Sequence, residues 1–539
     1  MSSSGSIRNS VIRPTDVVHS RVTVLTVCAV AIVIFLLRYD SDHMRPGGSY
    51  PLGWYNSWYD QGQYYDMVLH IPQGTLGAFS YPPLYPFLGF LGKFAGRVLH
   101  TYHRDPFFFV DLLFFITYVF FAHRTFERFL NPALSLAASV VLIQASVDQF
   151  VTPWTTTVSA ACLMILVDIF TSGRYTVRSG LLAGMAGGFM FGARIADALP
   201  AAAVGLYLFF DGRTSWQIRR RFFVSGILSA SLIAAVVIAV DLKFTGNILG
   251  NYFTNIMSQG RTLLGIPVKM YGYLFDPFTF HRETNPLAIP IVGQTLFLLL
   301  APLGIFLLLR APYRKLAVGP VFILALVGWA VIYTPFVAVT GLTLKYLSQH
   351  YFKAILPTVI GAGFFVIAEI AELGTREEHQ SRSVRRLLLI YLGVITCILG
   401  GFRFFAPRKL ELTTAMLSSS SNPSQLSKMI DGDLHTRWDS AQPQQPGLEF
   451  DIDFGKTRVV QRVVLDTADS PNDYARQLSI SYSLDGKSWA PWTATNQSET
   501  ATVSDLVSEA RSVRWLKFKD EGTDPVFWWS VHEISIYGR

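Results

Sequence analysis

The sequence predicts a polytopic α-helical membrane protein of about eleven spans, followed by an all-β jelly-roll sandwich. Two observations carry this prediction. The 539 residues are 51% hydrophobic and 15% charged, with a mean hydropathy of +0.35, whereas a soluble domain is about 25% charged. Runs of membrane length also stop near residue 404, and short alternating runs replace them. We therefore expect a cytoplasmic tail over 1–21, a membrane domain over 22–404 and a separate domain over 405–539.

Basic residues cluster in short loops that fall on the same side of the membrane when the apolar segments are counted as spans, which is the positive-inside pattern. This pattern sets the N-terminus on the cytoplasmic side and places the loops 39–105 and 241–289 outside, together with the C-terminal domain. Loops this long in a compact domain usually carry function. The spans are expected near 22–38, 106–122, 132–150, 154–171, 179–192, 196–210, 222–240, 290–309, 317–334, 352–371 and 387–404.

The segment 84–99 leaves the number of spans open. It is apolar enough to form a helix, but Lys93 and Arg97 interrupt it. Counting it as a span breaks the alternation of charge unless 179–210 is a single broken span. Both arrangements keep the two long outer loops on the same side.

Charge and cysteine usage indicate a location. The basic loops explain the net charge of +8. We therefore expect the chain to interact with the lipid bilayer and not with nucleic acid. Cys28, Cys162 and Cys397 all fall in apolar segments, which predicts no disulfide framework or thiolate metal site. The first apolar segment follows a polar, Ser-rich leader without a small-residue cleavage site, so it is expected to stay as an anchor. An outer domain without cysteines favours a bacterial plasma membrane (the inner membrane).

The first outer loop combines aromatic rings with acids. It reads WYNSWYDQGQYYDMV over 54–68 and YPPLYPFLGFLG over 81–92. Trp and Tyr are enriched at membrane interfaces, and a carboxylate held among such rings suggests chemistry. Tyr81, Pro82 and Pro83 are expected to shape this loop, because each proline removes a backbone donor and holds the preceding residue extended. A purely structural turn is the alternative.

This loop resembles that of the GT-C glycosyltransferases, integral membrane enzymes that use sugars linked to polyprenyl phosphate. The resemblance begins with Asp60, the aromatic Tyr64 and the Tyr-Pro-Pro motif. It continues in the Gly-rich segment 179–200, which carries Arg194 at the basic position, and in HYFKAILP at 350–357.

The resemblance implies transfer of a sugar from a polyprenyl-phosphate donor to an envelope glycan, lipid or protein on the outer face. A lipid phosphate leaves as an anion, so one carboxylate suffices as the general base for the acceptor hydroxyl, whereas a glycosidase needs two. Asp60 is the expected catalytic base. The alternative roles for this residue are a helix cap or a solvated loop acid. Asp66 is expected to bind the acceptor or a cation. No cofactor is expected for catalysis.

The departing phosphate needs positive partners near the membrane plane. The candidates are Arg194, Lys345, His350 and Lys353. A charge in a membrane segment is costly and usually functional, although pairing with Asp197 is an equal alternative for Arg194. Snorkelling to the interface is the alternative for the other three.

The C-terminal domain shows apolar residues at every second position, in runs such as LEFDIDFG and QLSISYSLDG. Such runs at short spacing indicate a β-sandwich. The domain resembles the discoidin, or factor V/VIII type C, family, a jelly roll with many carbohydrate-binding members. The resemblance lies in IDGD at 430–433 with TRW at 436–438, in FDIDFG at 450–455, in SYSLDGKSW at 481–489 and in EISIYG at 533–538.

This resemblance implies two sites. A structural calcium would suit the oxygen ligands of one loop, where an Asx-type turn without metal is the alternative. Trp528 and Trp529 would stack on a sugar ring, although adjacent rings cannot both face one side of a strand. A rigid spacer or docking module is the rival to sugar binding. The calcium ligands would be Asp431, Asp433, Thr436 and Glu533.

Two other classes of function stay open. A transporter or flippase of lipid-linked glycans would show internal repeats and broken helices at the midplane, and we find no repeat. A non-catalytic scaffold would use the membrane part only to anchor a glycan-binding head, which needs far fewer spans. In the glycosyltransferase hypothesis the C-terminal module binds the acceptor and raises its effective concentration at the enzyme.

Overall fold

The computed structural model describes thirteen parts of the chain, which form two compact units. A helical unit ends at Tyr391, and a second unit contains every described strand. The described residues are 14–41, 59–77, 81–99, 105–248, 291–310, 317–333, 349–372, 384–394, 408–433, 435–467, 470, 472–493 and 503–538.

Helices occupy every predicted span that the structure describes. Three 3₁₀ turns join or precede them, at Ile71–Gln73, Ile195–Asp197 and Gln349–Ala354, and residues 384–394 are also helical. The α-helices are α1 (Pro14–Ser41), α2 (Tyr59–His70), α3 (Leu84–Val98), α4 (Phe108–Phe126), α5 (Pro132–Val151), α6 (Thr155–Ser172), α7 (Val177–Ala193), α8 (Ala198–Phe210), α9 (Trp216–Thr245), α10 (Ile291–Leu308), α11 (Val318–Tyr333) and α12 (Leu356–Ala371).

Within the described ranges, five helices are long and apolar enough to cross a membrane, by length and composition. They are α4, α5, α6, α9 and the Arg21–Tyr39 part of α1. Helix α6 is the centre of the unit, since 89% of its apolar window is buried, whereas only 11% of the window in α9 is buried. Several apolar helices are thus present, while the total of about eleven spans stays a prediction.

Helices α7 and α8 form a hairpin. Helix α7 begins directly after the end of α6, and Arg213, which follows α8, donates from Nη1 to Thr171 O at 3.0 Å and from Nη2 to Phe170 O at 2.7 Å. The start of α7 and the end of α8 therefore lie at the same end of α6. Residues 179–210 are two antiparallel helices and not one broken span.

Helix α3 lies along one end of the helical unit. Its first residue, Leu84, contacts Gly192 in the last turn of α7, and Gly92 fits against Pro106 just before α4. A Cβ at Gly92 would lie 2.3 Å from Pro106 O, so the glycine permits this close approach. Both halves of α3 therefore lie at the same end of the unit. We call this the α2 end; it comprises α2, α3, the first turns of α4 and α6, and the last turns of α1, α5, α7 and α9.

The opposite end, which we call the basic end, comprises the last turns of α4, α6 and α8 and the first turns of α5, α7 and α9. Helices α7 and α9 run parallel from the basic end to the α2 end and pack through glycines. A Cβ at Gly184 would lie 1.9 Å from Gly226 O, so the two backbones are in contact there. Small residues four positions apart, such as Gly180, Gly184 and Gly188, allow membrane helices to approach closely.

The C-terminal unit is an antiparallel β-sandwich, as predicted. One sheet has the order β1-β9-β4-β7-β5-β6 with β2 on the edge of β4, and the second pairs β3 with β8. Alternate residues of LEFDIDF point into the core, namely Leu448, Phe450, Ile452 and Phe454. The strands are β1 (Arg408–Lys409), β2 (Leu417–Ser419), β3 (Trp438–Gln444), β4 (Leu448–Asp466), β5 (Leu478–Ser483), β6 (Ala490–Thr493), β7 (Val503–Asp520), β8 (Asp524–Val531) and β9 (Glu533–Gly538).

Candidate functional site

The Tyr64 ring packs helix α2 against the segment that leads into α3. The buried Tyr64 ring lies 4.8 Å from the Tyr81 ring and 5.5 Å from the Tyr85 ring, both edge-on. Gln61 is also buried and donates from Nε2 to Pro153 O at 2.9 Å. These contacts hold the backbone of Asp60, the second residue of α2, at this end, while the Asp60 side chain lies outside the described residues.

Asp66 lies on the same helix with half of its side-chain surface exposed. One carboxylate oxygen is 3.3 Å from Nδ1 of His70, one turn later. The loop after α2 folds back to Gly77, where a Cβ would lie 2.5 Å from Asp66 Oδ2 and where φ is +76°. Only glycine fits this approach without strain. Asp66 is therefore an accessible carboxylate beside a histidine.

The Tyr-Pro-Pro motif leads directly into α3. Tyr81, Pro82 and Pro83 are all buried, and the helix begins at the next residue. One residue further, Tyr85 donates from its hydroxyl to Asp111, at 2.8 Å from Oδ1 and 3.1 Å from Oδ2. The motif thus delivers a tyrosine hydroxyl to a buried carboxylate at the start of α4.

Two further acids fasten α1 to this end of the unit. Asp105 accepts from the Tyr39 hydroxyl at 2.8 Å and from the Phe107 N–H at 2.8 Å. Asp148 accepts from Nε of Arg38 at 2.7 Å. These acids are structural, and the side-chain donors Tyr39 and Arg38 reach them from the sequence-distant α1.

Lys353 lies inside the helical unit. Its ammonium has no exposed surface, donates to Gln149 O at 2.9 Å and to Thr157 Oγ1 at 2.7 Å, and lies 4.7 Å from the Phe150 ring centroid. The Tyr118 hydroxyl donates to Lys353 O at 2.6 Å. The side chain therefore does not snorkel to an interface. It fastens the segment Gln349–Ala354 to α5 and α6.

Arg194 is buried in the turn between α7 and α8, with 8% of its surface exposed. Its N–H caps α7 by donating to Met190 O at 2.9 Å, and its own carbonyl accepts from the N–H of the buried Asp197 at 2.8 Å. The predicted cation and its alternative partner therefore share one short turn. Lys345 and the side chain of His350 lie outside the described residues.

The β-sandwich carries a polar cavity of about 510 Å³ that sequence reasoning missed. Arg437 donates from Nη1 to Asp473 Oδ2 at 3.0 Å, and Asn422 donates to Asp439 Oδ1 at 3.1 Å. The walls of the cavity come from separate segments of the chain, so the cavity has no local pattern in the sequence. The lining residues are Asn422, Gln425, Lys428, His435, Thr436, Arg437, Asp439, Ser470 and His532.

The expected calcium loop closes beside this cavity. Asp431 accepts from the Thr436 hydroxyl at 2.7 Å and from the Asp433 N–H at 2.9 Å. The hydroxyl of Thr436, followed by that N–H, lowers the pKa of Asp431. Glu533 accepts from the N–H of Gly432. No group of three or more His, Cys, Asp or Glu gathers around one point in the described part of the chain. The loop as folded is an Asx-type turn, and the calcium stays a prediction.

The two adjacent tryptophans of β8 face opposite ways. Trp528 is 39% exposed, whereas Trp529 is 1% exposed and packs 5.4 Å from Trp438 and 5.3 Å from Phe450 between ring centroids. The prediction of a sugar-binding ring is therefore wrong for Trp529, because a ring without accessible surface cannot stack on a sugar. Its position follows the alternation of a strand, in which Val531 also points into the core.

The start of β8 is held by one carboxylate. Asp524 accepts from the N–H groups of Val526 and Phe527 at 2.9 and 3.0 Å and from Arg476 Nε at 2.8 Å. The two N–H groups, followed by the guanidinium, lower the pKa of Asp524 to about 2. This network positions the segment that presents Trp528.

Comparison with protein families identifies the C-terminal domain. The model of the F5/8 type C domain matches residues 414–534, which confirms the discoidin-like prediction for this domain. A comparison with the curated proteins found no match.

Three solved structures illustrate what the chain is similar to. The family 32 carbohydrate-binding module of Clostridium perfringens NanJ, in complex with galactose, is 16% identical and covers 24% of this chain and 99% of its own, with a TM-score of 0.21. A chitosan-binding module of Paenibacillus sp. IK-5 is 24% identical over 24% of this chain and 100% of its own, with a TM-score of 0.20. The corresponding module of AlyQ, in complex with 4,5-unsaturated mannuronic acid, is 21% identical over 24% and 97%, with a TM-score of 0.21.

Proposed function

We propose that this chain is a GT-C-like membrane glycosyltransferase with a glycan-binding C-terminal domain. It transfers a sugar from a polyprenyl-phosphate donor to an envelope glycan, lipid or protein on the outer face of a bacterial plasma membrane. The observation that supports this proposal is the convergence at the α2 end. Helix α2, the Tyr81–Pro83 turn and the buried cations Arg194 and Lys353 come from distant parts of the chain and lie at the same end of the unit.

In the proposed reaction, the Asp60 carboxylate accepts the proton of the acceptor hydroxyl while that oxygen bonds to the anomeric carbon. The bond from the anomeric carbon to the phosphate oxygen breaks, and its electron pair leaves with the phosphate. Because polyprenyl phosphate is stable as an anion, no acid has to protonate it. Arg194 and His350 are the proposed partners of that anion, and Asp66 binds the acceptor or a cation.

Lys353 has a different part in this proposal. Its ammonium is already bonded to Gln149 O and Thr157 Oγ1 inside the unit. It acts as a positioning residue, because the segment it fastens to α5 and α6 carries His350.

Sugar transfer can be tested with the full chain purified into lipid nanodiscs. The assay supplies a panel of synthetic farnesyl-phosphate sugars, each radiolabelled in the sugar, and a panel of oligosaccharide acceptors. We expect label to move to an acceptor with wild type and not with Asp60→Asn. Glu372→Gln, which changes an exposed carboxylate after α12, is the matched control and should keep full activity. Transfer by Asp60→Asn at the wild-type rate would remove the catalytic assignment.

The same protein in liposomes separates transfer from the two other classes of function. A flippase would move a fluorescent lipid-linked glycan between leaflets without changing its covalent structure. A scaffold would bind glycans and do neither. Either result, with no labelled acceptor from any donor, would overturn the enzymatic proposal.

The glycan-binding part of the proposal is supported by the family match over 414–534 and by the polar cavity. Hydroxyl-rich sugars need several convergent donors and acceptors, which this cavity supplies. The full chain on a glycan array should lose its signal in the double variant Lys428→Ala/His435→Ala. Trp528→Ala tests the exposed ring separately, with Val526→Ala on the same strand as its control. Unchanged signals in both tests would contradict sugar binding and favour the role of a rigid spacer for this domain.

A structural calcium in the Asp431 loop belongs to the same proposal. Added calcium should raise the unfolding temperature of the full chain, and a chelator should lower it. Asp431→Asn should remove this response. A melting temperature that does not depend on calcium would return the loop to a plain Asx-type turn.

A further inference from the structure

Helix α9 buries a carboxylate although most of its surface is exposed. Of its 30 residues, only Phe222, Ser225, Val237 and Asp241 are buried, and Asp241 retains 2% of its surface. A buried ionisable group in an apolar helix is costly unless something pairs with it, and it is usually functional.

The packing of α9 places Asp241 at the α2 end. Phe222 and Ser225 contact Gly180 near the start of α7, and Val237 contacts Gly192 near its end. A Cβ at Gly192 would lie 2.8 Å from Val237 and 3.2 Å from Leu84, so the two side chains meet at one point. Asp241 follows Val237 on the same face, about 6 Å further along the axis. It therefore lies past the end of α7, level with the turn that opens α3.

The carboxylate of Asp241 has no donor among the residues that the structure describes. Its Oδ1 is fully buried without a hydrogen-bond partner, and only its backbone carbonyl is used, by the Thr245 hydroxyl at 2.7 Å. At the same end, Asp105 accepts from two donors, and the Tyr85 hydroxyl donates to the Asp111 carboxylate. Asp241 thus keeps its side-chain acceptor capacity for a group that is not part of the described chain.

We propose that Asp241 is a second carboxylate of the site at the α2 end and accepts hydrogen bonds from hydroxyl groups of the sugar carried by the lipid phosphate. This inference rests on the proposed function. A sugar presents neighbouring hydroxyls that can donate to both oxygens of one carboxylate, and hydrogen bonds to a charged acceptor are the stronger kind. Asp241 binds and orients the donor sugar, whereas Asp60 remains the base.

The test compares Asp241→Asn with Lys243→Gln, an exposed position two residues along the same helix. Because the amide loses one charged acceptor, we expect the donor KM of Asp241→Asn to rise about ten- to a hundred-fold. The kcat at saturating donor should change far less. The unfolding temperature should stay the same or rise, because an unpaired buried charge is removed. Lys243→Gln should match wild type in all three measurements.

A structural role for Asp241 would give the opposite result, namely a lower unfolding temperature with an unchanged KM, and would overturn the inference. Wild-type transfer together with a wild-type KM in Asp241→Asn would overturn it and leave the proposed function intact. If wild type transfers no sugar, the stabilisation of the full chain by farnesyl-phosphate sugars is measured instead. The inference then predicts a smaller thermal shift for Asp241→Asn, and an equal or absent shift contradicts it.

Discussion

The two ends of the helical unit treat their acids differently. At the basic end, Asp168 lies 2.5 Å from Arg128 and 3.6 Å from Arg124, and Asp211 lies 2.6 Å from Arg213. At the α2 end, the partly exposed Asp148 pairs with Arg38, but the buried Asp105 and Asp111 accept from tyrosine hydroxyls or a backbone N–H instead. Lys353 donates to a carbonyl and a hydroxyl and forms no ion pair within the described ranges.

The electrostatic consequence is clearest in the loop after α8. Partial burial alone would raise the pKa of Asp211, but hydrogen bonds from Arg213 and Tyr175 prevail and hold it below its ordinary value. Carboxylates that are neutralised in this way have little capacity for a ligand. The basic end is thus built as a closed anchor, whereas the buried charged groups Asp105, Asp111 and Lys353 of the α2 end have neutral hydrogen-bond partners. The function proposed above assigns the phosphate and the sugar of the donor to that end.

The largest expected effect is at the basic end. Arg128→Ala removes the guanidinium that donates to Asp168 Oδ1 and to the Asp168 carbonyl. Breaking a buried ion pair costs about 3–5 kcal/mol, and Arg124, whose Nη2 lies 3.6 Å from Asp168 Oδ2, recovers part of that loss. We expect a large drop in unfolding temperature for the purified full chain. The double variant Arg128→Met/Asp168→Leu should recover much of it, and a mild single variant would contradict the closed-anchor interpretation.

A smaller loss is expected when a neutral donor is removed at the α2 end. Tyr85→Phe deletes the hydroxyl that bonds to both oxygens of Asp111. A buried acceptor without its donor costs about 1–3 kcal/mol. Thermal unfolding of Tyr85→Phe, Asp111→Asn and the double variant forms a mutant cycle. Additive losses would show that the two groups do not depend on each other and would weaken the comparison.

The Lys353 contacts should contribute less to stability than to function. Lys353→Met keeps most of the buried volume and removes two hydrogen bonds, which are worth about 1 kcal/mol each. Because the segment that carries His350 loses its tie to α5 and α6, the donor KM should rise by about ten-fold. The exposed Lys243→Met is the control. Unchanged kinetics with a large loss of stability would make the α2 end as structural as the basic end.

The smallest effect concerns a paired carboxylate of the sandwich. Since the pKa of Asp524 is lowered to about 2 from an ordinary value of about 3.9, its stabilising contribution is complete above about pH 5 and is lost as the pH falls through the folded value. The protection of the Val526 and Phe527 amides against hydrogen exchange should fall over that range. Asp524→Asn should show low protection already at neutral pH. Protection that does not depend on pH in wild type would contradict this assignment.

Several features could be predicted because they depend on local spacing. The apolar runs gave helices at the expected positions, and the alternation in LEFDIDF gave a strand whose Phe450 and Ile452 are core. The same alternation, applied to Trp529 and Val531, already indicates that Trp529 points inward. A lone acid in an apolar run was also a visible signal for Asp241.

Other features needed the folded chain. The helix at 84–99 was expected, but its course across one end depends on Gly92 fitting against Pro106, which no hydropathy pattern contains. The cavity of the β-sandwich could not be predicted for a similar reason, since its walls combine Asn422, Ser470 and His532 from separate segments.

The order of apolar and alternating runs, written in the sequence alone, determines that a helical unit precedes a β-sandwich, because burial periodicity is a property of neighbouring residues. Only the tertiary structure decides which charges are neutralised. The donor to Asp111 is 26 residues away, and the two acceptors of Lys353 are 204 and 196 residues away. Helix packing brings these groups together, and it also leaves the carboxylate of Asp241 at the α2 end with acceptor capacity to spare.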